Sequence, residues 1–231
     1  MNRLKKILLI LIAVFFVASW TYAGPEKHPR FIFLFIGDGM GLAQTAAAEL
    51  YLNALKHDGN PAYTERELTV TSFPVTGLMT THSADDYITD SAAAGTAMAT
   101  GTKAKNGFFS TGKKKLLTEY FIEKGYRAAI LTNVPADHAT PAAFYTRGLP
   151  RKDYYNIALE MMRSPVDIVA GAYVLGNRPR TREGRPDLFQ ENLKRVRVSL
   201  SEKKISWPAD KGTRVLLIPD EEMVQFPYAI D

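Results

Sequence analysis

Apolar residues occur along this chain both in short runs and at helical spacing. The short runs predict strands, the helical spacing predicts helices, and the two kinds of segment alternate. Residues 31–36 are six consecutive apolar residues between Pro29 and Gly37, a pattern that predicts a strand buried on both faces. Further short segments of strand-like composition predict strands at 75–81, 127–132, 166–170 and 215–218. Segments with helical spacing or composition predict helices at 42–55, 92–100, 116–124, 154–163 and 188–198.

This alternation indicates the fold class. A chain in which strands alternate with helices favours parallel strands covered by the helices that connect them. We therefore expect an α/β fold with a mainly parallel central sheet and helices on both faces. Residues 177–186, rich in Arg, Gly and Pro, are expected to form an exposed loop. The chain ends soon after the last predicted strand, so we expect the sheet to be incomplete.

The first 23 residues have the layout of a secretory leader. Three basic residues precede an apolar run at 7–18, and small residues follow at 21–23. This run is shorter than the roughly 20 residues that span a bilayer. We expect a signal peptide at 1–23, a periplasmic or secreted protein, and no stable membrane span after cleavage. An uncleaved anchor is the alternative.

Composition and charge exclude several classes of function. The 231 residues are 46% hydrophobic and 23% charged, which is ordinary for a globular domain. The absence of cysteine excludes disulfides and cysteine-bound metals. The formal net charge of +5 falls to +2 when the leader and its three basic residues are removed. This value does not indicate nucleic acid as a specific partner.

Asp38 is a candidate metal ligand directly after the first predicted strand. Three glycines, Gly37, Gly39 and Gly41, surround it in a segment that predicts a tight turn. Ligands gather at the carboxyl edge of open α/β sheets, and a carboxylate there suits a divalent cation. The alternative is a plain turn, since turns favour the same residues.

Asp90 and Ser91 precede an Ala-rich segment that predicts a helix. A serine hydroxyl attacks phosphate only when it is activated, and a bound metal ion would lower its pKa. A helix start would also direct N–H groups at the phosphate. The aspartate repels the anion that this helix end favours, so the pair fits best with a cation nearby. A simple helix cap is the alternative.

Asp137, His138 and Thr140 follow the third predicted strand and carry atoms that bind metals. The alternative is a loop in which Asp137 caps a helix that starts at a proline. Arg147 and Arg151 lie shortly downstream. An arginine guanidinium matches two phosphate oxygens, but position alone leaves the choice between them open.

Three segments resemble, in order, motifs of the alkaline phosphatase family. They are Phe-Ile-Gly-Asp-Gly-Met-Gly at 35–41, Thr-Asp-Ser-Ala-Ala-Ala-Gly-Thr-Ala at 89–97 and His-Ala-Thr-Pro-Ala-Ala-Phe at 138–144. The resemblance extends over residues 30–231, and this segment is similar to the amino-terminal half of the family's domain. It implies a truncated alkaline phosphatase-like domain at 24–231, without the carboxyl-terminal half that carries the remaining zinc ligands.

The resemblance implies roles for the matching residues. Asp38 would bridge a zinc and the magnesium. Ser91 would be the zinc-bound nucleophile that becomes phosphoserine. Thr140 would be a magnesium ligand, and His138 would stand at a position that tunes the magnesium site.

The resemblance also implies which arginine binds phosphate. Arg151 lies 13 residues after His138, the spacing at which the family's phosphate-binding arginine falls. It is therefore preferred to Arg147. Asp90 would orient the Arg151 guanidinium and so contribute to the phosphate site.

The implied function is hydrolysis of small phosphate monoesters with two Zn2+ and one Mg2+. The Asp-Ser-Ala-Ala-Ala run argues against a related phosphodiesterase or sulfatase. The oligomeric state stays open, with a homodimer as the candidate. A different class, a non-catalytic phosphate- or metal-binding extracytoplasmic protein, is the alternative, since the expected truncation removes ligands.

Overall fold

A computed structural model describes residues 28–60, 65–192, 196–199 and 214–218. They belong to two compact units, one that ends at Met40 and one that begins at Gly41. The predicted leader at 1–23 lies outside the described residues. None of the helices in these ranges combines the length and the apolar character needed to cross a bilayer.

The described part of the first unit is an extended segment followed by a turn. Residues 31–36 belong to no strand in the described chain, and Phe31, Phe33 and Phe35 are 68, 76 and 85% exposed. Their rings stack at centroid distances of 6.4 and 6.3 Å, because alternate side chains of an extended backbone point to one side. The prediction of a buried strand is wrong here, since a strand requires hydrogen bonds from a neighbouring backbone.

The strands of the second unit form a parallel sheet. The strands found among the described residues are β1 (Ala129–Leu131), β2 (Ile168–Ala170), β3 (Val196–Ser199) and β4 (Arg214–Leu217). Their order across the sheet is β1-β2-β4-β3, and each neighbouring pair is parallel. Ile130 lies opposite Val169, which lies opposite Leu216. The predicted α/β class with a mainly parallel sheet is confirmed.

Helices precede the strands of this sheet and lie between β1, β2 and β3 along the chain. In the described ranges they are α1 (Leu42–Lys56), α2 (Ser91–Thr100), α3 (Leu117–Glu123), α4 (Ala139–Ala142), α5 (Tyr154–Arg163), α6 (Pro179–Arg182) and α7 (Leu188–Asn192). Short 3-10 helices lie at Thr69–Thr71 and Leu175–Asn177. The predictions for α1, α2, α3 and α5 are confirmed to within one residue at each end.

Two predicted elements differ in kind. Residues 75–81 form no strand among the described residues, and Val75 is 84% exposed. The predicted helix at 188–198 ends at Asn192, and the chain continues into β3. The sequence around Val196 and Val198 alternates with a period of two. That pattern favours a strand once β4 supplies a partner.

Two further predictions are right only in part. The strand at 127–132 is present as β1, but Leu131 is 75% exposed because the described residues leave uncovered the face of β1 that Leu131 shares with the exposed Ala129. The predicted loop at 177–186 contains the short helix α6. Pro at the first helical position favours this start, because its fixed φ suits a helix and its missing N–H is not needed there.

One part of the core lies between α5 and the strands β2 and β4. The buried residues of α5 recur at helical spacing on one face: Ile157, Ala158, Met161 and Met162. Met161 and Met162 line a small cavity together with Val169, Val215 and Leu216. This packing fixes β2 and the loops that follow β1 and β2. Those two loops also bond to each other, through Ala136 N–H to Tyr173 O at 2.8 Å.

Candidate functional site

Ser91 is the first residue of α2, and Asp90 is the residue that caps this helix. Asp90 Oδ1 accepts a hydrogen bond from the Ala93 N–H at 2.9 Å. The cap satisfies one N–H of the first turn, while the helix dipole and the other N–H groups favour an anion near Ser91. Asp90 is therefore a cap, as the simpler interpretation expects, but only one of its oxygens serves that purpose.

The second carboxylate oxygen of Asp90 binds Arg151. Arg151 Nη1 donates to Asp90 Oδ2 at 2.9 Å, and the Gly107 N–H donates to the same oxygen at 3.0 Å. Burial by itself raises the pKa of the Asp90 carboxyl, but hydrogen bonds from Ala93, Arg151 and Gly107 outweigh it and lower that pKa below its usual value. Asp90 is thus a carboxylate at neutral pH, and its charge holds the guanidinium beside the start of α2.

A short antiparallel pairing of two loops positions Arg151. The Arg151 N–H donates to Gly107 O at 2.8 Å, the Phe109 N–H to Leu149 O at 3.0 Å, and the Gly148 N–H to Ser110 O at 2.7 Å. These bonds join residues 107–110 to 148–151 in one register. The backbone of Arg151 is consequently fixed next to the loop that also contacts Asp90.

Arg147 faces a different group. Its Nε donates to Lys114 O at 2.9 Å, and its guanidinium forms an ion pair with Glu119 of α3. Arg147 and Arg151 are both half-buried, but in the described part of the chain the guanidinium of Arg151 pairs with Asp90, whereas that of Arg147 pairs with Glu119. The two arginines between which the sequence left the phosphate ligand open therefore differ in their partners, since Arg151 lies beside the start of α2 and Arg147 beside α3.

The helix that carries Thr140 packs against the helix that carries Ser91. The contact is at Gly95, where a Cβ atom would lie 2.8 Å from Ala143 Cβ and 3.5 Å from Thr140 O. Glycine is required for this close approach. Ser91 lies four residues before Gly95, on the same face of α2, so Thr140 lies alongside the face that begins with Ser91. His138 is the residue at the N-cap position of the same short helix.

Asp137 has a structural position that sequence reasoning missed. It is completely buried, and it accepts hydrogen bonds from the Leu175 N–H at 2.9 Å and the Gly176 N–H at 2.6 Å. The alternative that Asp137 caps α4 is wrong, because His138 occupies the N-cap position. Asp137 instead ties the loop after β1 to the loop after β2. Burial outweighs these hydrogen bonds and raises the pKa of Asp137 to about 6.

The raised pKa of Asp137 predicts a stability that depends on pH. An acid whose pKa is higher in the folded state stabilises the fold below its unfolded pKa, near 3.8, and that contribution is lost as pH rises through about 6. The change corresponds to about 3 kcal/mol. Urea unfolding of the wild type and Asp137→Asn between pH 4 and 7 measures it: the wild type should lose stability relative to the variant as pH rises.

The exposed Asn60, which does not titrate, supplies the control for this measurement. Asn60→Ala should leave the pH profile of unfolding parallel to that of the wild type. A profile of Asp137→Asn that also runs parallel to the wild type would contradict the buried-carboxylate interpretation.

Asp38 lies in the first unit, in a turn that is closed by a hydrogen bond from the Met40 N–H to Gly37 O at 3.2 Å. Gly39 in that turn has φ of +71°, in the left-handed region that favours glycine. The predicted tight turn is confirmed. The side chain of Asp38 is exposed.

The donor atoms of Asp38, Ser91, His138 and Thr140 are of the kinds that Zn2+ and Mg2+ bind. In the described ranges, however, no three His, Asp or Glu side chains lie together where they could hold a metal ion. The described residues by themselves therefore do not fit a complete metal site.

Gly107 and Asn106 are further residues that sequence reasoning missed. Both contact Asp90. The one local signal is the Asn-Gly pair itself, which is typical of turns in which glycine adopts a positive φ. Gly107 has φ of +80°. The pair predicts a turn, but it does not say what the turn touches.

Comparison with known proteins assigns the family. The family model described as alkaline phosphatase matches residues 30–171. Alkaline phosphatase 4 of Bacillus subtilis is 33% identical over 196 residues, which cover 74% of this chain and 41% of that protein. The crystal structure of a cold-active alkaline phosphatase from Shewanella sp. has a TM-score of 0.65 at 30% identity, covering 85% of this chain and 47% of that one.

A third similar protein shares the fold at lower identity. A mutant of TAB5 alkaline phosphatase, with Mg bound, has a TM-score of 0.61 at 19% identity and covers 74% of this chain and 49% of that one. The chain belongs to the alkaline phosphatase family. It spans less than half the length of these relatives.

Proposed function

We propose that this chain carries the nucleophile and phosphate-binding arginine of an alkaline phosphatase-type phosphomonoesterase, which hydrolyses small phosphate monoesters through a phosphoserine at Ser91. The observation that supports it is the ion pair of Arg151 and Asp90 at the start of α2. A guanidinium and helix N–H groups together favour the binding of a phosphate dianion. Membership of the family supports the same reaction class.

In the first step, Ser91 Oγ would attack phosphorus in line with the ester oxygen. The bond from Oγ to phosphorus forms while the bond from phosphorus to the ester oxygen breaks. The proton of the Ser91 hydroxyl passes to solvent, and the departing alkoxide takes up a proton from solvent. Arg151 would donate two hydrogen bonds to the non-bridging oxygens, where negative charge must be held. Asp90 would keep the guanidinium in that orientation.

In the second step, a water molecule would attack the phosphoserine. A new bond forms from the water oxygen to phosphorus, the bond from phosphorus to Ser91 Oγ breaks, and inorganic phosphate is released. The same arginine and helix N–H groups would bind the non-bridging oxygens again. The serine is regenerated with its proton.

The proposed reaction would use three bound metal ions, two Zn2+ and one Mg2+. Asp38, Ser91, His138 and Thr140 would contribute ligands, and further ligands would complete the sites. When bound, such ions acidify a hydroxyl and a water molecule and neutralise phosphate charge.

The location and assembly of the protein are part of the same proposal. The leader pattern at 1–23 supports a periplasmic or secreted protein. A homodimer is the proposed assembly, and size-exclusion chromatography with light scattering would measure it.

Turnover of p-nitrophenyl phosphate by the purified chain, with Zn2+ and Mg2+ added, tests the proposed reaction. Calorimetry with inorganic phosphate on the same sample separates it from the alternative of a non-catalytic phosphate- or metal-binding protein. Turnover together with phosphate binding supports the phosphatase. Phosphate binding without turnover would favour the binding protein, and absence of both would contradict the proposed site.

Arg151→Ala should weaken inhibition by inorganic phosphate more than Arg147→Ala does. Arg151 is held beside the start of α2 by Asp90, whereas Arg147 is held by Glu119. Loss of a charge-assisted hydrogen bond costs about 1.5–3 kcal/mol, so the inhibition constant should rise about tenfold or more in Arg151→Ala. The inhibition constants of the two variants measure the difference. The reverse ranking would transfer the role to Arg147.

A further inference from the structure

Asn106 and Gly107 connect the two charged residues of the proposed phosphate site. Asn106 Oδ1 accepts a hydrogen bond from the Asp90 N–H at 2.9 Å. The Gly107 N–H donates to Asp90 Oδ2 at 3.0 Å, and Gly107 O accepts from the Arg151 N–H at 2.8 Å. This dipeptide therefore bonds to the backbone and carboxylate of Asp90 and to the backbone of Arg151.

The Asn106 side chain is itself fixed from two sides. Its Nδ2 donates to Ile88 O at 2.8 Å, so the amide bridges the backbone on both sides of Thr89. The Asn106 N–H donates to Asp85 Oδ1 at 2.9 Å. Asp85 Oδ1 also accepts from Ser83 Oγ at 3.0 Å. These bonds orient the amide so that its oxygen meets the Asp90 N–H.

We infer that Asn106 is a positioning residue for phosphate binding, which holds Asp90 and, through it, the Arg151 guanidinium. The inference rests on the proposed function, because it gives Asn106 a role in the site formed by Ser91 and Arg151. Asn106 need not contact phosphate. It fixes the backbone from which the Asp90 carboxylate extends, and that carboxylate binds Arg151 Nη1 at 2.9 Å.

The chemistry of the contact requires an amide. One atom must accept from the Asp90 N–H and another must donate to Ile88 O, and asparagine offers both. An aspartate at this position would keep the acceptor, but it would place a second oxygen against Ile88 O and a new charge near Asp90. An alanine would remove both contacts.

Calorimetric titration with inorganic phosphate, in buffer with Zn2+ and Mg2+, tests this role in the full chain. Asn106→Ala should weaken phosphate binding about tenfold, as expected for lost hydrogen bonds around a charged pair. The double variant Asn106→Ala/Arg151→Ala should bind no more weakly than Arg151→Ala alone, because Asn106 acts through Arg151. Asn60→Ala, which changes an exposed asparagine after α1, is the control and should bind as the wild type does.

This non-additivity is the readout that a merely structural residue would not give. Additive losses in the double variant would overturn the inference, and so would unchanged affinity in Asn106→Ala. If Arg151→Ala itself binds phosphate like the wild type, the proposed function fails and the role of Asn106 fails with it. Should Asn106→Ala not fold, Asn106→Asp replaces it, and unchanged affinity in that variant would overturn the inference equally.

Discussion

Replacing Ser91 by alanine should abolish the incorporation of phosphate into the protein and lower the turnover of p-nitrophenyl phosphate by about a thousandfold or more. The change removes the one protein atom that the proposed mechanism joins to phosphorus. It should leave the helix intact, because alanine has the highest helix propensity. The cap bond from the Ala93 N–H to Asp90 does not involve the Ser91 side chain.

The measurement is labelling with radioactive phosphate, followed by identification of the labelled peptide. Ser72→Ala is the matched control, because Ser72 is an exposed serine of the same unit and its hydroxyl bonds to Leu68 O. It should label and turn over as the wild type does. Phosphate that stays attached to Ser91→Ala protein would contradict the assignment of the nucleophile.

Gly176→Ala should destabilise the fold by about 3 kcal/mol, which is the upper end of the cost of overpacking. A Cβ atom at this position would overlap Tyr154 O and lie 2.6 Å from the Tyr154 carbonyl carbon and 2.8 Å from Ala158 Cβ. The backbone of α5 cannot yield without disturbing the core that it forms with β2 and β4. The same change would displace the Gly176 N–H from the buried carboxylate of Asp137, to which it donates at 2.6 Å.

Thermal unfolding measures this loss as a fall in Tm of about 10 °C, given about 2–4 °C per kcal/mol for a chain of this size. Gly77→Ala is the control, because the Cβ that it would add meets no atom within 4 Å outside Gly77 and its two chain neighbours. Its Tm should match the wild type. Equal values of Tm for Gly176→Ala and the wild type would show that the two loops and α5 are not packed as described.

Local patterns predicted the helices better than they predicted the strands. The bounds of α5 follow from apolar residues on one face, and a helix satisfies its backbone groups within its own segment. Residues 31–36 are all apolar and residues 75–81 have a strand-like composition, yet neither segment forms a strand in the described chain. A strand is completed only by a partner that is distant in sequence, and no local pattern names that partner.

The sequence by itself determined the α/β class, the helix that begins at Ser91 and the motifs that resemble the alkaline phosphatase family, because each depends on neighbouring residues. Only the tertiary structure decided which arginine contacts Asp90. Arg147 and Arg151 carry the same group, and the bond from Arg151 to Asp90 spans 61 residues of chain. This bond depends on the pairing of residues 107–110 with 148–151, and on the contacts of Asn106 and Gly107 with Asp90. Such long-range contacts form only when the chain has folded.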